Sequence, residues 1–315
     1  MAARGRLGAI ARCRWLQPHR SFSTQRVMLN YQEKPPAGVR NGRYINQPDQ
    51  GDIMDKAQLY ETTMQSARAL AVAPTLETYG FTLAQCPTKV NDFSDPVQVQ
   101  SIYYEEIRKM VKEASGADTV LVFDHTIRES GNTNLNATEG GSAAPVPRVH
   151  CDYTSEGAPR RLKLLGKDGI NSLKRGRVLT EAEVERLAAD RFAFINIWRP
   201  ITAEPVYRMP LAVCDERSIA PDDRFLYELV FPDRIGENYS LQYSSAHQWY
   251  YYPQQTRDEA LIFKCYDKKE DGPRFVFHTA FDDPSTPPDA PPRRSIETRT
   301  IAFFKEEDDF RPMDT

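Results

Sequence analysis

The sequence predicts a mainly β protein with flanking helices, its strands closed into a sandwich or barrel. Three observations point there. From residue 119 onward the chain breaks into short β-branched and aromatic runs separated by Pro, Asp and Gly. Prolines outnumber glycines, 23 to 16, which suits many shaped loops better than a helical bundle. The 15 Tyr, 15 Phe and 3 Trp supply the bulky side chains that pleated surfaces pack well.

Along the chain, residues 1–27 carry six arginines and no Asp or Glu. That is the composition of a mitochondrial transit segment, or of an unstructured basic leader. A single domain is expected over 28–315. Residues 28–55 are polar and turn-rich and are expected to wrap the surface. Residues 55–72 (DKAQLYETTMQSARALAV) are rich in helix formers, with Leu59, Met64, Ala67 and Leu70 near helical spacing, and predict a helix. Residues 97–115 predict another, with Val99, Ile102, Tyr103, Ile107 and Met110 as its apolar stripe. TVLVFDHTIRES (119–130) reads as a buried strand and 132–147 as a loop. Helical inserts are expected at 157–166 and at 179–190, where Thr180 and Glu183 have capping-box spacing. RFAFINIWRPI (191–201) is a strand, and PLAVCD, YELVF, SLQYSS, HQWYYYP, EALIFKCYD, RFVFHTAF and SIETRTIAFF supply the rest.

Hydrophobic residues make up 40% of the chain and charged ones 27%, enough for a packed core. Net charge is −3, and with the basic leader set aside the body is more acidic still, which argues against nucleic acid as a partner. No apolar run approaches the roughly 18 residues of a membrane span. Five cysteines without a CxxC argue against a structural zinc site or a disulfide framework and favour a reducing compartment, the cytoplasm by default. Oligomeric state leaves no mark in the sequence.

Chemistry concentrates in VHCDYT (149–154). His150 and Asp152 lie two apart, so on a strand they share a face and could hold a metal. Cys151 between them should point away. The pair alone is common by chance, and a third ligand must come from a later strand. His278, in the aromatic strand RFVFHTAF, is the better candidate, with His247 as its competitor. Downstream, Arg293 and Ser295 form an Arg-x-Ser pair entering a strand, suited to a two-pronged bond with a small dicarboxylate. Two histidines and one carboxylate on one side of an ion leave three open positions, the arrangement of non-haem Fe(II) oxygenases. His125 and His247 are further pocket candidates. So are Asn196 and Trp198, which share one face of the 191–201 strand; Arg199 beside them reads as a structural ion pair.

NIWRPI, PLAVCD, DEALIFKCYD, HTAFDDP and PPRRSIETR resemble motifs of the fungal AsaB-type hydroxylase/desaturase family, a group of CmcJ/NvfI-like Fe(II)/2-oxoglutarate-dependent dioxygenases. The resemblance runs from about Leu29 to Phe304. It implies a double-stranded β-helix (jelly-roll, cupin-like) core. It also implies an enzyme that uses Fe(II), 2-oxoglutarate and O2 to hydroxylate or desaturate a small-molecule secondary metabolite through a ferryl intermediate. By matching motif, His150, Asp152 and His278 become the metal ligands and Arg293 the co-substrate arginine. The chain reads Pro-Arg-Arg-Ser where the family pattern has an acidic residue at position 294. Arg294, and Arg299 with the strand parity of Arg293, therefore stay open as alternatives. Asp152 at the carboxylate position argues against a halogenase, which leaves that position to chloride. Two other readings compete: a non-catalytic β-helix protein acting as a binding or partner subunit, and a hydrolytic zinc enzyme on the same ligands.

Overall fold

The computed structural model describes residues 24–134, 142–167 and 178–305, and the backbone of 14–15. Among these residues fifteen strands, numbered in chain order, form two sheets. The six-stranded sheet runs β1 (Arg14–Trp15), β5 (Phe81–Gln85), β13 (Glu259–Asp267), β8 (Arg191–Pro200), β15 (Arg294–Phe304), β6 (Thr119–Glu129). The nine-stranded sheet runs β2 (Gln25–Gln32), β4 (Ala57–Ser66), β12 (Trp249–Tyr251), β9 (Leu211–Cys214), β14 (His278–Ala280), β7 (His150–Cys151), β11 (Ile235–Leu241), β10 (Arg224–Val230), β3 (Gly42–Tyr44). All neighbours are antiparallel except β4–β12 and β3–β10. The expected jelly-roll core with helices outside it is what forms.

Strand alternation sorts the core into two layers. On β8, Phe192, Phe194 and Trp198 join the larger cluster with residues of both sheets. Ala193, Ile195 and Ile197 face the other way, against Ile107, Met110 and Val111 of α2. The segment feeding that helix starts at α1 (Pro96–Gln98), passes through a π-helical stretch (Val99–Tyr103) and continues as α2 (Tyr104–Ser115). Asp95 accepts a hydrogen bond from Val97 N at 2.8 Å at the start, and Gly116 at φ 72 ends it in the left-handed region. The helices at 157–166 and 179–190 form as α3 (Gly157–Leu164) and α4 (Glu181–Ala189), the latter with the predicted capping box. Thr180→Ala is expected to cost about 1 kcal/mol and about 2 °C of Tm, read by a thermal melt.

Three expectations fail, two on elements and one on the cysteines. Residues 57–66 are a strand, not a helix: β4 pairs with β2 and β12, and Thr62, Met64 and Ser66 are buried with a period of two. The 28–55 segment is more than a surface wrap, because Leu29 and Tyr31 of β2 are core residues. That strand begins at Gln25, three residues inside the leader as drawn; most of the leader lies outside the described residues. Cys151, Cys214 and Cys265 are buried free thiols, whereas Cys86 is disulfide-bonded, which no cysteine spacing suggested.

Candidate metal centre

The register of the nine-stranded sheet assembles the centre. β7 lies between β14 and β11, and His278 is the direct cross-strand partner of His150. Residues opposite one another in an antiparallel pair project to the same face. The two imidazole rings accordingly lie with centroids 4.4 Å apart. Asp152, two residues after His150, brings Oδ1 to 3.6 Å from His150 Nε2 and 3.9 Å from His278 Nε2. Two ligands of one ion at about 2.1 Å sit roughly 3–4 Å apart, so this spacing suits a shared metal. Among the described residues these three are the group whose ligand atoms converge, all within 4.8 Å of one another.

Each ligand is oriented through its other polar atom. His150 Nδ1 is 2.7 Å from the Arg148 carbonyl and His278 Nδ1 is 3.2 Å from the Val276 carbonyl. A carbonyl can only accept, so both Nδ1 atoms carry the proton and both Nε2 lone pairs face Asp152. Asp152 Oδ2 accepts a hydrogen bond from Asn196 Nδ2 at 2.8 Å and lies 3.5 Å from Arg299 Nε. That leaves Oδ1 directed at the two imidazoles.

Charge state follows from the same contacts. Burial would raise the Asp152 pKa, but Arg299, His278, His150 and the Asn196 hydrogen bond together hold it below the usual carboxylate range. Burial, then the neighbouring His278, pushes His150 down, against the opposing pull of Asp152. An ionised carboxylate beside a neutral imidazole is the protonation state that metal ligation requires. These residues fit a divalent iron: two nitrogens and one oxygen on one side, borderline donors, and an oriented outer layer.

The three arginines separate cleanly. Arg299 is committed to carboxylates: Asp124 at 3.4 Å, Asp152 at 3.5 Å and Glu297 at 3.7 Å, with Thr126 Oγ1 at 3.0 Å. Arg294 has the opposite strand parity, is partly exposed, and lies 3.7 Å from Glu129. Arg293 is 2% exposed. Its Nε donates to Ser295 Oγ at 3.1 Å, an Nη donates to the Met209 carbonyl, and its guanidinium covers the Trp198 ring. No carboxylate pairs with it among the described residues. Burial, and then Arg128, push its pKa down to about 9 against the pull of Glu297, so it remains a cation at neutral pH and an anion beside it would be well held.

Of the remaining candidates, Asn196 reaches the centre as the clamp on Asp152, and Trp198 shares its inward face of β8 under Arg293. His125 does not. It pairs with Thr298 on β15 and its Nδ1 lies 2.7 Å from the Tyr104 hydroxyl, which places it on the α2 side of the sheet. His247 is not a ligand either. Its Nδ1 is 3.0 Å from the Tyr31 hydroxyl and its Nε2 is 3.2 Å from Asp223 Oδ2, so both ring nitrogens are engaged elsewhere. The expected ion pair at Arg199 is replaced by hydrogen bonds to the Cys86 and Arg257 carbonyls. Cys151 donates to the Cys265 carbonyl at 3.2 Å and stands outside the ligand group.

Sequence reasoning missed Glu297. Its Oε1 accepts from Asn196 Nδ2 at 2.8 Å, and its Oε2 lies 3.7 Å from both Arg128 and Arg299. The signal was present: Ser295, Glu297 and Arg299 alternate along β15 and share a face. Asn196→Ala would leave Asp152 and Glu297 each short of a donor. It is expected to weaken Co(II) binding about 10–100-fold, measured by calorimetric titration of metal-free protein.

Residues 29–303 match the family described as an oxidoreductase/YMDC permease-like domain. No helix among the described residues is long and apolar enough to cross a membrane. The chain is 32% identical to the Fe(II)/2-oxoglutarate-dependent dioxygenase nvfI of Aspergillus novofumigatus, over 86% of this chain and 94% of that protein. It is 31% identical to the hydroxylase/desaturase efuI of Hormonema carpetanum, over 74% of this chain and 80% of the relative. Among solved structures it resembles the iron and alpha-ketoglutarate-dependent endoperoxidase NvfI. The TM-score is 0.74 at 27% identity, covering 91% of this chain and 100% of the other.

Proposed function

Because the chain belongs to the family of Fe(II)/2-oxoglutarate-dependent dioxygenases, with Fe(II), 2-oxoglutarate and O2 as its cofactors and co-substrates, we propose that it hydroxylates or desaturates a small secondary metabolite at the centre formed by His150, Asp152 and His278. The observation that carries this reading is the convergence of those three ligand atoms with both imidazole Nδ1 atoms already bonded to backbone. Names among the relatives support the substrate class: one, from Aspergillus oryzae, is an aspirochlorine biosynthesis protein.

Iron held by these three residues would supply, with 2-oxoglutarate and O2, the oxidising power that an unactivated C–H bond requires. The protein's own share is positional. His150 and His278 present Nε2, and Asp152 presents Oδ1 while Asn196 and Arg299 keep Oδ2 turned away. Arg293, steadied by Ser295 and the Met209 carbonyl, offers the buried cation for the far carboxylate of 2-oxoglutarate. The pose in which the surrounding residues hold the substrate C–H bond would decide between an alcohol and an alkene.

The test is anaerobic addition of Fe(II) and 2-oxoglutarate, which should give a visible charge-transfer absorption, followed by air, which should give slow succinate formation without substrate. Neither signal would be seen from a non-catalytic partner subunit. A zinc hydrolase would work without O2 or 2-oxoglutarate.

A further inference from the structure

The Trp198 indole nitrogen is buried, carries an N–H that can only donate, and has no hydrogen-bond partner among the described residues. A buried donor left unpaired is costly, and tryptophan normally finds it an acceptor. Trp198 sits on the inward face of β8, two residues from the Asn196 clamp and directly across from Glu297 of β15. Its ring lies under the Arg293 guanidinium, 5.2 Å from centroid to Cζ. Two donors without a described acid thus meet at one place: a buried cation and, on the ring it covers, a buried N–H. We propose that the Trp198 indole N–H is a further donor to the distal carboxylate of 2-oxoglutarate, completing with Arg293 a pocket selective for a dicarboxylate. This rests on the reading of Arg293 as the co-substrate arginine.

A carboxylate offers about four acceptor sites, more than Arg293 alone can fill, so a third N–H adds to the hold without competing. Loss of a hydrogen bond to a charged group should weaken binding by about tenfold or more. Calorimetry on anaerobic Fe(II)-loaded Trp198→Phe, which keeps the ring and removes the N–H, should show that loss for 2-oxoglutarate. Affinity for 2-oxopentanoate, which lacks the distal carboxylate, should be unchanged. Equal loss for both ligands, or none for either, overturns the proposal. Should that variant not fold, the Zn(II)-loaded wild-type protein serves. One indole N–H signal in its 15N spectrum should move downfield with 2-oxoglutarate and stay put with 2-oxopentanoate, and a spectrum in which none moves is equally fatal. Arg293→Lys separates the two claims. If it weakens 2-oxoglutarate binding while Trp198→Phe does not, only the Trp198 role fails. If neither does, the carboxylate lies elsewhere and both fail.

Discussion

Replacing His150 or His278 by alanine is expected to abolish iron binding and turnover together. Loss of a ligand should exceed the 10–100-fold cost typical of the outer partners, reaching about a thousandfold in metal affinity. The two variants should behave alike because the residues are equivalent in the sheet: direct partners across β7 and β14, each with Nδ1 on a backbone carbonyl and Nε2 toward Asp152. His247→Ala is the control. It should leave iron affinity unchanged and instead lower stability by about 1–3 kcal/mol, because Tyr31 and Asp223 lose their shared partner in a buried setting. Metal titration and a thermal melt on the same samples separate the two effects. Retained iron in His278→Ala together with lost iron in His247→Ala would contradict the assignment.

The second large effect concerns Arg293. Arg293→Ala is expected to raise the Kd for 2-oxoglutarate by about 100-fold, since removing one member of a buried charge pair costs about 2–5 kcal/mol. Iron affinity should stay where it was, because among the described residues the Arg293 partners Ser295, Met209 and Trp198 make no hydrogen bond or ion pair with Asp152 or either imidazole. Arg299→Ala should do the reverse. It removes a cation 3.5 Å from Asp152 Oδ2, takes the same partner from Asp124 and leaves Glu297 to Arg128 and Asn196, so metal binding and stability fall first. Measuring metal and co-substrate binding separately on the two variants distinguishes a ligand-binding arginine from a positioning one. A pattern with the roles exchanged would move the co-substrate site to Arg299.

These contrasts mark where the sequence was legible. The converging group could be read in part because a strand fixes its side-chain parity: His150 and Asp152 share a face whatever the rest of the chain does. Parity also grouped Arg293, Ser295 and Arg299, but could not say which arginine was free. That depended on Asp124 and Asp152, brought alongside β15 only by the assembled sheets. The histidines outside the centre show the same limit, since Tyr31 and Asp223 are remote in sequence from His247. The 57–66 strand was misread for a different reason. Its helix-forming composition is a weak local preference, and pairing on both sides with β2 and β12 overrides it. The period-two burial of Thr62, Met64 and Ser66 was the better guide.

One arrangement reaches beyond the chemistry. His150 and His278 belong to the nine-stranded sheet, whereas Asp152 is gripped by Asn196 of β8 and Arg299 of β15 in the six-stranded one. A metal bonded to all three would tie β7 to β14 within one wall, and the Asn196 hydrogen bond and Arg299 ion pair of Asp152 would carry that hold to the other. Parting β7 from β14 would then mean breaking coordination bonds, so loading should slow amide exchange most on β7 and β14, next on β8 and β15, which grip Asp152, and least in the outer strands β2 and β3. The proposed centre would thereby also stiffen its own container.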